Sequence, residues 1–254
     1  KDLNKKTNYY IFEKSPYLKQ IQKNNINNNE LKWIDNLNKL SKKPTIFIGN
    51  EFFDSFPIKQ FIKKNNIWFE KYVTFQNNNF SFVEKKISKL YIEKLLEKKI
   101  DNKQKFVEFS PSAFKLLKVI TKIIKSQNGG LLMIDYGFDN KNMQNTLQSI
   151  KYHKKNNVLK NVYDSDITHL INFNLYEEKI KNYKIDLIKQ TTQREFLMKM
   201  GIVKRAEILA KNLPFSKKTD IYLRLKRLID VNQMGTLFKV LFATNKKNNF
   251  NLGF

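Results

Sequence analysis

The chain has 254 residues, 41% of them hydrophobic, and carries 48 lysines and arginines against 23 acids, a formal net charge of +25. That length and apolar fraction suit one large folded domain, and apolar runs such as Thr45–Ile48 and Leu131–Ile134 are too short to cross a bilayer, so no membrane span is expected. With no cysteine, disulfides, thiolate metal sites and a cysteine nucleophile are excluded.

In chain order, Asn8–Phe12 is a short β-type run ending at Glu13. Ser15-Pro16 then opens a helix to about Asn24, since serine caps and proline suits the first turn. Leu31–Ile34 is a short strand. Thr45–Gly49 is a continuous apolar run of the kind buried on both faces of a parallel sheet. Ile58–Lys63, Ile67–Phe75 and Phe80–Val83, separated by Lys-Asn and Asn-Asn turns, predict an antiparallel meander. Leu90–Ile100 has helical spacing. Pro111–Ser126 is a stronger helix, with Phe114, Leu117, Ile120 and Ile124 on one face. Asn128-Gly129-Gly130 ends it, and Leu131–Asp135 is a second buried-type strand. Beyond it, Asp166–Phe173, Gln193–Met200, Ile202–Lys211 and Thr219–Val231 read as helices, and Tyr183–Ile188 and Leu237–Thr244 as strands. Helices alternating with buried strands predict a mostly parallel α/β sheet.

The charge has two readings. One is a nucleic-acid binder; the other is compositional drift toward Lys, Asn and Ile. Lysines occur in every segment, and the only arginines are Arg194, Arg205, Arg224 and Arg227. Base and phosphate recognition favours the guanidinium fork, so drift is preferred and no specific nucleic acid is expected. The Asn clusters at 27–29, 77–79 and 248–249 are read as drift in loops.

Ligands of open α/β sheets sit beyond the carboxyl ends of the strands. Four predicted strand ends are polar there: Glu13, Asp35, Asn50-Glu51 and Asp135-Tyr136-Gly137. Glu13 stands where nucleotide-binding folds place an acid for the ribose hydroxyls; its bland alternative is a carboxylate at a helix entrance. Asn50 donates and accepts hydrogen bonds. Glu51 and Asp54 can grip a guanidinium through paired hydrogen bonds. Phe52 and Phe53 exclude water or lie near a sulfonium cation; alternatively they are core. His153 and His169 are the only histidines, and no further ligands stand at metal spacing, so no metal is expected and His169 reads as a surface residue.

Gly49–Pro57, GNEFFDSFP, resembles the Asn-Glu-Phe-Phe-Asp-x-x-Pro signature of MidA-type methyltransferases. YYIFEKSPYLKQIQ, GGLLMIDYG, NTLQSIKYHKKNNVL, DITHLINF and TQREFLMKMGIVKR resemble further segments of that family, in family order from about Tyr9 to Val240. The resemblance implies an α/β, Rossmann-like class I methyltransferase sheet with an inserted meander at about 58–84, as one partial domain over residues 1–254. It implies S-adenosylmethionine as cofactor, a protein arginine substrate in a subunit of respiratory complex I, and a role in complex I assembly. The compartment it implies is the cytoplasm in a bacterium or the mitochondrial matrix in a eukaryote. Glu51 would orient the substrate with Asp54 second, supported by Asp135, Tyr136 and Gln193. His153 matches a family position and joins the catalytic candidates. Arg205 also matches one, a salt bridge or helix-end contact being its equal alternative. Glu13, Trp33, Asp35, Asn50 and Phe52 would contact the cofactor, with core packing the equal alternative for Trp33.

This sequence departs from the family pattern at Asn145, Val162-Tyr163 and Asn172, which puts substrate details in doubt. Nothing in Lys1–Tyr9 resembles the first strand and Gly-rich loop of class I methyltransferases, so the expectation is a fold with that strand and loop missing, supplied by an upstream segment. A truncated, non-catalytic protein-binding module and a basic RNA-binding protein or RNA methyltransferase stay as alternatives. The meander also offers edges for pairing between chains, so a homodimer is a further expectation.

Overall fold

The computed structural model describes residues 7–26, 28, 30–152, 154–245 and 252–254. The chain divides into two units, Lys1–Lys43 and Pro44–Phe254, where its sequence suggested one continuous domain. In the first unit, β1 (Tyr9–Phe12), α1 (Pro16–Asn25) and β2 (Leu31–Ile34) form one βαβ turn. The strands are parallel, Tyr9 opposite Leu31 and Phe12 opposite Ile34. Ser15 caps α1 as predicted, its hydroxyl accepting from Leu18 N at 3.2 Å.

In the second unit, β3 (Thr45–Asn50) is followed by the meander β4 (Lys59–Lys64), β5 (Ile67–Gln76) and β6 (Asn79–Ile87). The helix α2 (Lys89–Leu96) then leads to β7 (Phe106–Phe109). These strands make a four-stranded antiparallel sheet in the order β6-β5-β4-β7, so the predicted meander gains a fourth strand. Its turns have a use for asparagine, including the pair at 77–78 that looked like drift. Asn65-Asn66 and Asn77-Asn78 all have φ between +48° and +62°, the tight hairpin geometry that asparagine tolerates and most residues resist.

Next come α3 (Pro111–Gln127) and β8 (Gly129–Phe138), then a three-stranded excursion of β9 (Gln148–Lys151), β10 (Lys154–Asn156) and β11 (Asp166–Thr168). The chain continues through β12 (Ile171–Asn172), α4 (Phe173–Asn182), β13 (Leu187–Thr192), α5 (Gln193–Lys199), α6 (Ile202–Ala210), α7 (Phe215–Ile229), α8 (Met234–Leu237) and β14 (Phe238–Thr244). β8 is the central strand. β3 runs parallel to it from Thr45 opposite Gly129 to Asn50 opposite Ile134. β12 joins β8, also parallel, at Gly137 and Phe138. β14 is antiparallel to β8 and carries β13 antiparallel at its outer side. The sheet is therefore mixed, not mostly parallel. α3 packs over β3 and β8, burying Phe114, Leu117, Ile120 and Ile124 in the predicted stripe; each such side chain contributes roughly 1.5–3 kcal/mol.

Three expectations fail for physical reasons. β3 is not buried on both faces, because Ile46 and Ile48 point away from α3 and are 59% and 71% exposed. Asp166–Phe173 is not a helix: Ile167, Leu170, Ile171 and Phe173 have helical spacing, but β11 pairs with β9 and β12 with β8. The helix begins only at Phe173, where the Asn172 side chain caps Leu175 N at 3.1 Å. Tyr183–Ile185 is not strand; it closes α4, with Lys184 at φ 68°. Among the described residues no helix is long and apolar enough to cross a membrane.

Gly137 marks a close approach between β8 and β12. A Cβ there would stand 2.4 Å from the Ile171 carbonyl and 2.6 Å from the Phe173 ring. Gly137→Ala is expected to prise β12 from β8 and cost about 1–3 kcal/mol, read as a lowered midpoint in urea unfolding.

Candidate active site

Along β8, β3 pairs as far as Ile134 and β12 takes over at Gly137. Opposite the gap between them, the chain leaves β3 and turns through residues 51–56. Glu51 N still donates to the Ile134 carbonyl at 3.0 Å. Glu51 then has φ 46°, a left-handed conformation that costs a side-chain-bearing residue roughly 1 kcal/mol or more. The Asp135 carboxylate reaches into the gap and holds this turn: its Oδ2 accepts from Phe53 N at 3.1 Å and Asp54 N at 3.3 Å. Its Oδ1 accepts from Tyr136 N at 2.9 Å.

The two side chains at the start of the loop part company. Glu51 is exposed, close enough to Tyr136 to raise its hydroxyl, and accepts from the Asn50 amide at 3.4 Å. Asp54 is buried and accepts from the Thr168 hydroxyl at 2.8 Å. Phe52 lies half-buried, edge-on to Phe53 with ring centres 5.2 Å apart. Phe53 is core, packed edge-on against Tyr176. From there aromatic contacts run through Phe114 and Phe109 to Phe61 in the meander sheet.

Burial dominates the acids. It pushes the fully buried Asp135 up to about 7, helped by the neighbouring Asp54 charge and opposed by the amides of Phe53, Tyr136 and Asp54. Asp54 is also raised by burial, the Thr168 hydrogen bond acting against it. Tyr136 is raised by burial and then by Glu51. His169, expected at the surface, is buried; burial lowers it to about 4 against a hydrogen bond to the Asp54 backbone. No ion pair joins Glu51, Asp54 or Asp135 to a lysine or arginine among the described residues, although the chain's net charge is +25.

Asn50, Glu51, Phe52, Asp54, Asp135 and Tyr136 are thus brought together. Gln193 lies at the same end of the sheet, since Thr192 is opposite Lys239 and Lys239 opposite Asp135. Its buried amide, however, donates to the Leu228 carbonyl at 2.9 Å and ties α5 to α7. His153 lies outside the described residues. In the first unit, the Glu13 carboxylate accepts from Ser15 N at 2.8 Å and from Gln22 at 3.3 Å. Gln22 accepts from the Trp33 indole at 2.9 Å, while Asp35 is exposed and paired with Lys39 at 2.6 Å. Thr168 and His169 escape sequence reasoning as site residues because their segment reads as helix. The resemblance of DITHLINF to a family segment is the one available signal.

A sequence model of an S-adenosyl-L-methionine-dependent methyltransferase family matches residues 1–189. The chain belongs to that family. Similar curated proteins include the Caenorhabditis elegans protein arginine methyltransferase NDUFAF7 homolog, mitochondrial, 28% identical over 82% of this chain and 49% of its own length. The Danio rerio protein arginine methyltransferase NDUFAF7, mitochondrial, is 26% identical over 93% of this chain and 61% of its own. The chain therefore spans about half to three fifths of these relatives. A Burkholderia thailandensis crystal structure with bound S-adenosyl-homocysteine superposes with a TM-score of 0.77 at 20% identity, over 97% of this chain and 66% of that one. That likeness supports the Rossmann-like α/β fold. The family match includes the whole acid cluster and ends before Gln193.

Because the Asp135 value in the fold is raised above its ordinary 3.8, the folded protein binds this proton more tightly than the unfolded chain. The group's contribution is then most favourable below pH 4 and is lost as pH rises through about 7. Asp135→Asn stays neutral, so its melting temperature relative to wild type should climb between pH 4 and 8. A gap independent of pH would contradict the assignment.

Proposed function

We propose that the protein is an S-adenosylmethionine-dependent protein arginine methyltransferase that acts on a subunit of respiratory complex I in the mitochondrial matrix. Family membership and the names of the curated relatives support the reaction class. One observation carries the substrate: Glu51 is an exposed carboxylate, held in a left-handed conformation at the carboxyl end of β3, without a cationic partner among the described residues of a strongly cationic chain. An arginine guanidinium is the complementary ligand, since its planar fork bonds a carboxylate through two parallel N–H groups.

The cofactor supplies a methyl group bound to a sulfonium. The residues present fit it in each unit taken alone. Glu13 is an acceptor-only group at a strand end, suited to ribose hydroxyls. Asn50 can donate and accept, and the half-buried Phe52 offers a ring face to a cation. Trp33 and Asp35 are further candidates at the end of β2.

On this reading the chain orients and desolvates the acceptor. A protonated guanidinium nitrogen is a poor nucleophile, and arginine stays protonated at ordinary pH. Glu51 aligns the accepting nitrogen, offsets the positive charge and receives the proton as the new bond forms. Tyr136 stands near enough to Glu51 for the two to act on each other, and its hydroxyl can donate to the Glu51 carboxylate. Asp54 and Asp135 add negative potential from below, with buried acids whose ionised forms a bound cation would favour.

The test uses the full-length polypeptide, tritiated S-adenosylmethionine and complex I subunits from cells lacking the gene, with methylarginine read by mass spectrometry. Wild type should label an arginine. Glu51→Ala should lower transfer by about 100-fold or more, the scale of losing one preorganised electrostatic contact, while cofactor affinity by calorimetry stays within about twofold. Loss of both would make Glu51 a cofactor ligand. Label in RNA would make the protein an RNA methyltransferase, and no cofactor binding would make it a non-catalytic module.

A further inference from the structure

Thr168 and His169 have no role of their own in the proposed chemistry, yet both lie against Asp54. The Thr168 hydroxyl donates to Asp54 Oδ2 at 2.8 Å, and the buried His169 ring lies close enough to the Asp54 backbone for that backbone to favour its charged form. Their own segment is pinned at two further points, the second tied onward to a buried acid. Thr168 pairs with Gln148 in the β9–β11 ladder. Leu170 N donates to the Thr146 hydroxyl at 2.9 Å. Thr146 N in turn donates to the buried Glu108 carboxylate at 3.2 Å, which Gln60 of β4 also bonds at 2.6 Å. The residues that reach Asp54 therefore belong to a fixed network and not to a free loop.

Glu51 lies between two anchors. One is its own amide on the Ile134 carbonyl at 3.0 Å; the other is Asp54, three residues on. Asp135 grips the second anchor through backbone amides from the β8 side. Thr168 grips it through its side chain from the excursion side, with the buried His169 ring set against its backbone. Left-handed backbone at a glutamate is unfavourable unless its surroundings over-determine it. Freeing Asp54 on one side allows the turn to relax toward ordinary φ, and that rotates the Glu51 carboxylate.

We propose that Thr168 and His169 are positioning residues that act through Asp54 to hold the Glu51 carboxylate in line with the methyl acceptor. The inference rests on the arginine reading above. The β9–β11 excursion then serves to connect the catalytic turn to the Glu108–Thr146 network.

The experiment compares Thr168→Val, Thr168→Ser, His169→Phe, the double Thr168→Val/His169→Phe variant and Glu51→Gln in the full-length polypeptide. The donor is tritiated S-adenosylmethionine and the acceptor the same complex I subunit fraction. Thr168→Val should keep the wild-type melting temperature within a few degrees and cofactor affinity within about twofold, while kcat falls about tenfold, the scale of one hydrogen bond. Thr168→Ser should restore the rate, and the double variant should be no worse than the poorer single one, because both groups act through one residue. Thr168→Val transferring at the wild-type rate while Glu51→Gln is inactive would overturn this inference and leave the arginine reading standing. Wild-type rates in both, or no transfer by wild type, would overturn the arginine reading and this inference with it. A rate loss matched by a loss of folding or cofactor binding would also overturn it, in favour of a purely structural role.

Discussion

The hydrogen bonds from the backbone amides of Phe53, Asp54 and Tyr136 to the buried Asp135 carboxylate are the constraint on which the site depends. A carboxyl group in the core is costly unless polar partners surround it. Here those partners are the main-chain donors of the turn that carries Glu51. The turn could not lie elsewhere without leaving both the amides and the carboxylate unsatisfied. Sheet geometry makes room for this arrangement, because β3 leaves β8 at Ile134 and β12 joins it only at Gly137.

Two other devices keep the turn from being merely local. Phe53 extends the core through Tyr176, Phe114 and Phe109 to Phe61, with successive ring centres 5.2–5.9 Å apart. This aromatic series joins the meander sheet to the acid-bearing turn beside the central sheet by close packing, which transmits strain instead of absorbing it. Glu108 does the same with polar groups, taking hydrogen bonds from Gln60 and Thr146 while Thr146 holds Leu170. Like Asp135, it is an acid raised by burial and bonded by neighbours on distant segments. The site thus uses buried carboxylates as fasteners, while Glu51 at its edge is exposed.

Much of this was legible in residue order. Ser15-Pro16 and Pro111 announced their helices through local capping chemistry, which needs only a few neighbours. The stripe of α3 and the first three meander strands followed from periodicity. The acids of GNEFFDSFP and IDYG stood out against a lysine-rich background, and they do meet. Three elements misled. DITHLINF has helical spacing, but its pairing partners lie in β9 and β8. The run at 45–49 looks buried on both sides, yet Ile46 and Ile48 are exposed. Asn77-Asn78 looked like compositional drift and is a hairpin turn whose backbone favours asparagine.

The sequence by itself determined which residue types are available, where helices start, and that a cluster of acids follows an apolar strand; these depend on contacts a few residues apart. Only the tertiary structure decided which acid is exposed and which are fasteners. Glu51 and Asp54 are chemically alike and three positions apart, and no local rule separates them. The distinction comes from Asp135, 81 residues beyond Asp54, and from Thr168, 114 residues beyond it. Hydrogen bonds of that span exist only once the sheet has brought its strands together.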